Sequence, residues 1–548
     1  MTPSNHPQRR SHTTAGFPGD PWPSAKFHSV VAELASEDPD RAVAIFEGSK
    51  ELTLRELVER GEATARQLRG LGVSPGDRVV LMMGNRSEYL FGWYACSRLG
   101  VVRVPVNVEA RGIFLSQTLH TARPTVIIAA DTCAEQIGAS DLDEAMTTVL
   151  LLPSDEVADA VEFRYARLAD LAESSIDDIS PADPSDTSVI QFTSGTTGPS
   201  KGAMMTHKYE HLMASLIADF LELGERDTYL MYNPLFHVHA QTTFFATLMA
   251  GGRMAFPARF SASRWREDLT TYEATVSSML GVMLAFVLDT SNGADEAENQ
   301  LRCLWTVPAP IDSVNALRRR FGIERVVTSY GNTEVGMIAA GEVDADHPGT
   351  AGKPFTEHYD VAVMDPHTDV VLGPDEVGEC VVRPRHPWIV AQGYFESADA
   401  TLRAFRNLWF HTGDAVTMDA EGRLRFVDRL NDRIRRRGEN LASADLEAAI
   451  HEHPDVEEVA VAAVPSQLAG GEDEILVCLN LRDDQDEDVQ SWARAFSAWL
   501  EKALPRYAQP RYLDFYESLP KTSTEKVAKY RLRERSSARA SIDLNEVR

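Results

Sequence analysis

The sequence predicts an α/β protein with a large N-terminal domain, made of α/β subdomains plus a small β subdomain, and a smaller α+β domain after it. Two observations support this. Short apolar runs alternate with helical patterns over much of the chain, which is typical of a parallel sheet covered by helices. The residue composition then changes abruptly after Val427, where a charged segment begins. A module of roughly 100 residues follows, an ordinary size for a separate domain.

The predicted elements follow in order. Leu52–Gly70 carries apolar residues at helical spacing, and Thr53 with Glu56 forms a capping box at its start. Buried strands are predicted at 79–83, 101–106, 126–128 and 149–152. Shorter strands and more turns at 359–425 indicate the small β subdomain. The C-terminal module reads as a helix at 443–452, strands at 456–464 and 474–481, a helix at 489–503 and a strand at 511–517.

These patterns predict the domain boundaries. They are a disordered lead-in at 1–27, a large domain at 28–427, a connection at 428–432, a small domain at 433–533 and a loose polar tail at 534–548.

Composition narrows the function classes. The chain has 548 residues, with 82 Asp and Glu against 54 Lys and Arg, and a net charge of −28. This acid excess argues against nucleic acid and anionic membrane as partners, since like charges repel. Any phosphate that the protein handles must therefore be held by a local positive site.

The five cysteines are scattered and show no metal-ligand spacing, which fits a reducing compartment. No run of about 18 apolar residues occurs, so no membrane span is expected. Arg9 and Arg10 are not followed by the apolar stretch of a secretion signal. The expectation is a cytoplasmic protein, and a homo-oligomer is possible.

The strongest local signal is the segment Gln191–Gly202. Its glycines let backbone N–H groups approach an anion, its hydroxyls donate, and Lys201 adds a positive charge. It is not a Walker A loop, because Gly202 rather than Ser or Thr follows the lysine. On composition alone, a Ser/Thr/Gly surface turn remains an alternative.

Further boxes occur in order after this segment: Pro234–His237, Tyr330–Glu334, His411–Asp414 and Leu519–Val527. Together they resemble the adenylate-forming superfamily of acyl-CoA synthetases, adenylation domains and luciferases, over about residues 28 to 533. Within this superfamily, the sequence of the boxes resembles that of the carnitine/crotonobetaine-CoA ligase-like proteins. The resemblance implies ATP, Mg²⁺ and, as a second substrate, CoA. It also implies a small C-terminal domain that is mobile about a hinge at 428–432, where Asn431 departs from the usual Lys or Asp.

The resemblance also implies residue roles. Tyr330 would stack on adenine, Thr333 would contact the α-phosphate, Glu334 would hold Mg²⁺, and Asp414 with Arg429 would bind the ribose. Lys526 would bind the reacting oxygens, although Glu525 stands where most members have glycine. The remaining candidates fall into two sets. Those of the phosphate loop are Thr193, Ser194, Gly195, Thr196, Thr197, Gly198 and Lys201. Arg435 and Gly438 belong to a basic segment that either faces the CoA nucleotide or is a solvated patch.

The acyl site departs from that of amino-acid adenylation domains. His237 stands where those domains place an aspartate that pairs with the substrate ammonium, so an α-amino acid is not expected. The alternative is that His237 and His239 are packing residues. Thr306 and Val307 replace residues that are usually small, which predicts a reshaped pocket and a small or compact acid.

Three functions remain open. The first is an ATP-dependent acid–CoA ligase. The second is a diazotase of secondary metabolism, of the kind found in antibiotic biosynthesis, which activates nitrite and diazotises an aromatic amine. The third is a non-catalytic descendant that binds nucleotide, against which the intact Lys201, Glu334, Asp414 and Lys526 weigh.

Overall fold

A computed structural model describes most of the chain, in two compact units. The described residues are 26–110, 112–140, 147–152, 165–167, 172–179, 182–193, 201–290, 299–323, 325–429, 433–436, 439–464, 474–482, 489–504, 508–522, 526–533 and 540–547. The first unit holds the described residues up to Asp360 together with Arg383–Leu408, and the second holds Val361–Val382 and the described residues from Trp409 onward. The second unit thus takes in much of the predicted β subdomain. The boundary at 428–432 stays a prediction.

Two sheets form the frame of the first unit. Its strands are β1 (Ala42–Phe46), β2 (Glu51–Thr53), β3 (Arg78–Met82), β4 (Val102–Pro105), β5 (Val126–Ala130), β6 (Thr148–Leu152), β7 (Tyr165–Arg167), β8 (Thr187–Thr193), β9 (Lys201–Thr206), β10 (Thr228–Leu230), β11 (Arg253–Phe256), β12 (Val276–Leu280), β13 (Cys303–Val307), β14 (Arg325–Asn332), β15 (Gly336–Glu342) and β16 (Lys353–Pro354). One sheet has the order β7-β6-β5-β3-β4-β8-β9, and the other has the order β16-β15-β14-β13-β12-β10-β11-β1-β2.

Both sheets are parallel at the centre and antiparallel only at their edges, where β9, β2, β15 and β16 lie. The four apolar runs predicted as buried strands are β3 to β6, and they pair in parallel. The predicted α/β class is therefore confirmed.

Helices connect these strands. They are α1 (Phe27–Glu37), α2 (Leu54–Gly70), α3 (Ser87–Leu99), α4 (Gly112–Ala122), α5 (Ala134–Gly138), α6 (His207–Phe220), α7 (Val238–Met249), α8 (Trp265–Thr271), α9 (Gly281–Thr290), α10 (Ile311–Phe321) and α11 (Ala398–Ala404). Helix α2 begins with the predicted capping box, in which Thr53 and Glu56 each accept the other's backbone N–H. Its apolar face is buried, as the spacing predicts.

The second unit has a β part and an α+β part. Its strands are β17 (Tyr359–Met364), β18 (Gly378–Pro384), β19 (Phe410–Met418), β20 (Leu424–Arg429), β21 (Arg433–Arg436), β22 (Glu439–Ala442), β23 (Val456–Val464), β24 (Glu474–Leu481), β25 (Tyr512–Phe515) and β26 (Ala540–Asp543). Its helices are α12 (Ser443–His451), α13 (Val489–Ala503), α14 (Lys529–Arg533) and α15 (Leu544–Val547). β17 to β20 form one sheet and β23 to β26 another, so the predicted C-terminal elements are confirmed to within a few residues.

Two terminal predictions need correction. The tail is not loose at 540–547, because β26 pairs with β25 and Leu544 is fully buried in the core of the C-terminal module. At the other end, Phe27 is not part of a disordered lead-in, because it begins α1 and stacks on Trp93 with ring centroids 4.0 Å apart. Residues 1–25 and 534–539, which share these predictions, lie outside the described residues.

Candidate active site

The predicted phosphate loop connects two paired strands of the first unit. Thr193 at the end of β8 is the register partner of Lys201 at the start of β9. The connecting residues 194–200 lie outside the described residues, and with them the candidates Ser194, Gly195, Thr196, Thr197 and Gly198. Gly202 is required beside the loop, since a Cβ there would lie 2.5 Å from the Ile190 side chain.

A second segment, residues 391–395, runs along β9. The Met204 N–H donates to Gly393 O at 3.0 Å, and the N–H groups of Gln392 and Phe395 donate to Met204 O and Gly202 O, each at 2.8 Å. These bonds place Tyr394 opposite Ala203, two residues beyond Lys201.

The turn between β14 and β15 carries Thr333 and Glu334. Asn332 Oδ1 accepts from the N–H groups of Glu334 and Val335, both at 3.1 Å. The Tyr209 hydroxyl, on the buried face of α6, donates to Thr333 O at 2.9 Å. Glu334 O accepts from the Ala391 N–H at 2.7 Å, which ties the turn to residues 391–395.

Three predicted or neighbouring side chains meet at this point. The Tyr394 hydroxyl donates to Glu334 Oε1 at 2.8 Å. Lys201 Nζ lies 5.4 Å from the centroid of the Tyr394 ring, within the range of a cation–π interaction. Burial raises the pKa of Tyr394, and the adjacent Glu334 charge raises it further, so the hydroxyl keeps its proton.

Tyr330 lies on β14, close in sequence to this turn, and is buried. The β14–β15 ladder shifts register between Tyr330 and Gly331. Gly331 is required there, because a Cβ would lie 2.0 Å from Gly336 O. Tyr330, Thr333 and Glu334 thus lie on the one hairpin that β14 and β15 form.

The turn before α7 carries His237. Asn85 holds this turn from two sides: its Oδ1 accepts from the Leu235 N–H at 2.7 Å, and its Nδ2 donates to Asn233 O at 3.3 Å. Gln191 of β8 donates through Nε2 to Phe236 O at 2.9 Å. The strand that leads into the phosphate loop is therefore bonded to the turn that presents His237.

His237 in this turn and His239 in the first turn of α7 are both electrically neutral at physiological pH. Burial lowers the pKa of His237 to about 4, and burial together with His237 lowers that of His239 to about 4. His239 Nε2 forms a hydrogen bond with Ser278 Oγ at 3.1 Å, and its ring packs edge-on against Trp305 at 4.6 Å. His239 therefore packs against β12 and β13, and the alternative that His237 and His239 are packing residues stays a prediction.

Thr306 and Val307 differ in environment. Thr306 is fully buried, and its hydroxyl donates to Pro308 O at 3.3 Å. Val307 at the end of β13 is 40% exposed, so of the two it is the one that can contact a ligand.

The second unit carries Asp414 and Arg429. They are register partners on β19 and β20. Asp414 is only 2% exposed, and its N–H donates to Thr412 Oγ1 at 3.1 Å. His411 Nδ1 and Oε2 of the buried Glu379 form a hydrogen bond at 2.8 Å, and Glu379 Oε1 also accepts from the Gly413 N–H at 3.0 Å.

Lys526 is exposed on a short bridged segment of the same unit. Lys521 and Val527 form an isolated β-bridge, and Lys526 O accepts from the Thr522 N–H at 2.7 Å. Arg435 lies on β21 opposite Asn440, whereas Gly438 lies outside the described residues.

No group of three or more metal-ligating His, Cys, Asp or Glu side chains occurs in the described part of the chain. Mg²⁺ that travels with a nucleotide is usually held by one or two carboxylates plus phosphate oxygens and water. A single carboxylate such as Glu334, beside a cationic lysine, fits that requirement. Among the same described residues, no helix is long and apolar enough to cross a membrane.

The first unit combines two parallel α/β sheets, a hairpin that carries Lys201 and a turn that carries Glu334. These features are those of a nucleotide-using enzyme. The family models identify it further: residues 31–395 match the AMP-binding enzyme model, and residues 445–526 match the AMP-binding enzyme C-terminal domain. The chain belongs to the AMP-binding enzyme family. This confirms the prediction of an adenylate-forming enzyme.

Two named relatives cover nearly the whole chain. It is 28% identical over 518 residues to the crotonobetaine/carnitine–CoA ligase of Salmonella arizonae, covering 91% of this chain and 97% of that protein. It is 28% identical over 517 residues to the 2-succinylbenzoate–CoA ligase of Bacillus velezensis, and the match covers 92% of this chain and 97% of that protein.

The fold resembles solved structures of the same class. The O-succinylbenzoate coenzyme A synthetase of Bacillus subtilis in complex with AMP is 25% identical, with a TM-score of 0.78 over 93% of this chain and 99% of that chain. The same enzyme in complex with ATP and a magnesium ion is 25% identical and gives a TM-score of 0.76. That match covers 92% of this chain and 99% of that chain.

Asn332 and Gln191 lie within two of the sequence boxes but received no role from the sequence, and Tyr394 and Asn85 were not singled out at all. Tyr394 is one aromatic residue in an irregular segment, and its contact with Glu334 spans 60 positions. The one local signal is Gly393, whose φ of 134° favours glycine.

Proposed function

We propose that the protein uses ATP to adenylate a small or compact carboxylic acid, releases pyrophosphate, and transfers the acyl group to CoA. The observation that carries this proposal is that Tyr394 contacts both Glu334 and Lys201, the first residue of β9. A cation and a hard oxygen ligand, together with the Gly/Ser/Thr sequence that precedes Lys201, supply the combination that a metal-bound triphosphate requires.

The residues of the first unit bind the nucleotide. Thr193 and the loop 194–198 hold the phosphates with Lys201, Thr333 contacts the α-phosphate, and the Tyr330 ring stacks on adenine. Glu334 holds Mg²⁺, which when bound neutralises phosphate charge. The hydrogen bonds that Asn332 Oδ1 accepts from the Glu334 and Val335 N–H groups fix the Glu334 backbone before any ligand arrives.

The residues of the second unit complete the reaction. Asp414 accepts hydrogen bonds from the ribose hydroxyls, which suits an acceptor-only carboxylate, and Arg429 assists it. Lys526 donates to the carboxylate and α-phosphate oxygens as negative charge develops there. Arg435 and Gly438 face the CoA nucleotide in the second half-reaction.

The acid itself is limited by His237 and Val307. A neutral His237 offers no negative charge to an ammonium group, so an α-amino acid is a poor substrate. Val307 narrows a position that is usually small in the superfamily, which favours a compact acid. The relatives named above are ligases of crotonobetaine or carnitine and of 2-succinylbenzoate, which supports a carboxylate rather than nitrite. No observation favours the diazotase or the antibiotic pathway in which it would act.

The test is pyrophosphate release from ATP and Mg²⁺ across a panel of carboxylates and nitrite, with CoA or an aromatic amine added separately. We expect AMP and an acyl-CoA thioester with a short or compact acid. A diazo product with nitrite would replace this proposal by the diazotase, and no nucleotide turnover under any condition would support the non-catalytic alternative. Equal rates with long-chain acids such as palmitate would refute the compact-acid assignment.

A further inference from the structure

We propose that Tyr394 is a positioning residue for bound ATP and its metal: its hydroxyl sets the Glu334 carboxylate, and its ring sets the Lys201 ammonium. The proposal rests on the function proposed above, because Glu334 and Lys201 take their roles from it. One side chain would then fix two charged groups that reach the site from different strands.

The backbone of Tyr394 is fixed on both sides. The neighbouring residues 392, 393 and 395 are bonded to β9, and Ala391 is bonded to the Glu334 carbonyl. The Tyr394 N–H donates to Thr401 Oγ1 at 2.9 Å, which joins it to α11. Tyr394 therefore connects the strand of Lys201 to the turn of Glu334, and its side chain has little freedom to leave.

The hydroxyl acts on the carboxylate. The Tyr394 hydroxyl donates to Glu334 Oε1 at 2.8 Å, an ordinary length for an O–H···O hydrogen bond, and a bond to a charged oxygen is stronger than one between neutral groups. A carboxylate has several acceptor positions, so this bond fixes its orientation and is compatible with metal binding.

The ring acts on the lysine. Lys201 Nζ lies over the face of Tyr394 at 5.4 Å, where the electron-rich ring attracts the ammonium. A lysine stem is flexible and loses rotamer freedom when it binds a phosphate. The ring limits that freedom in advance, so the ammonium is already directed to the hairpin.

The two roles predict different losses for two variants. Binding of an α,β-methylene ATP analogue, measured by isothermal titration calorimetry with Mg²⁺ or with EDTA, separates them. Tyr394→Phe keeps the ring, so we expect unchanged affinity in EDTA and roughly tenfold weaker affinity in Mg²⁺, the equivalent of one charged hydrogen bond. Tyr394→Leu also removes the ring, so we expect weaker binding in both media.

Tyr94→Phe is the matched control, because its hydroxyl donates to Glu62 Oε1 at 3.0 Å between α3 and α2. It should lower thermal stability as much as Tyr394→Phe and leave analogue binding unchanged. The proposal is overturned if Tyr394→Phe binds like the wild type in Mg²⁺, or loses as much affinity in EDTA, or if the wild type does not bind the analogue. Failure of the proposed function is a separate result, since a wild type that binds the analogue but releases no pyrophosphate with any acid leaves the Tyr394 result standing.

Discussion

The turn of Glu334 and the segment of Lys526 are two charged sites built in different ways. Residues distant in sequence hold the turn: Tyr209 lies 124 positions from Thr333, and Tyr394 lies 60 positions from Glu334. Lys526 is exposed, and the backbone contacts around it, between Thr522 and Lys526 and between Lys521 and Val527, join residues a few positions apart.

This difference has a physical meaning for catalysis. A carboxylate that must bind a metal in one geometry gains from surroundings that fix it before the ligand arrives. A lysine at an exposed position is accessible to a ligand, which suits a group that engages only while charge develops. Substitutions should therefore affect the two sites differently: stability and activity together at the turn, and activity alone at the lysine.

Lys526→Ala should give the largest effect. We expect a loss of about 100- to 1,000-fold in acid-dependent pyrophosphate release, the usual size for removal of one group that stabilises developing charge. Because Lys526 is exposed, the melting temperature should not change. Lys521→Ala on the same segment is the control, and full activity in Lys526→Ala would refute the assignment.

Lowering the pH should destabilise the first unit through its buried histidines. His237 and His239 have native pKa values of about 4 against 6.5 in the unfolded chain, so only the unfolded state takes up protons between these values. Stability is therefore lost as the pH falls below about 6.5, by about 2 kcal/mol for each histidine at pH 5. Chemical denaturation at pH 7 and pH 5 measures this. A double variant, His237→Gln with His239→Gln, should lose less stability over that range than the wild type, and an equal loss would contradict the prediction.

Asn332→Ala tests the turn. It removes the acceptor for two N–H groups, so we expect a loss of about 1–2 kcal/mol in the free energy of unfolding. Pyrophosphate release should fall at the same time, because Glu334 moves with its backbone. Asn332→Asp keeps the acceptor oxygen and should retain the stability. If Asn332→Ala lowered activity but left the free energy of unfolding unchanged, the turn would behave like Lys526 and the proposed difference between the two sites would be wrong.

Thr53→Ala should give the smallest effect. Loss of the cap of α2 should cost about 1 kcal/mol of stability, seen as a lower melting temperature. Analogue binding and pyrophosphate release should be unchanged, since the cap is a local feature of one helix. Reduced activity in this variant would mean that a loss of about this size impairs the enzyme generally, and the Asn332→Ala result would then lose its meaning.

Most of the fold was predictable because its signals are local. The capping box of α2, the apolar runs of β3 to β6 and the α12–β23–β24–α13–β25 succession depend on residues that are neighbours in sequence. The tail was mispredicted because β26 is short and polar in composition, and only its pairing with β25 makes it a strand. Phe27 was assigned to a polar lead-in because its partner Trp93 is far along the chain.

The sequence by itself determined the class of the protein, its family and the order of its charged boxes, including Lys201, Glu334, Asp414 and Lys526. Those boxes are short runs whose residue types suit phosphate, metal and ribose, so they can be read without coordinates. Only the tertiary structure decided that Tyr394 joins Lys201 to Glu334 and that Gln191 reaches the turn of His237. Such contacts arise when distant segments pack side by side, and no local periodicity encodes that pairing.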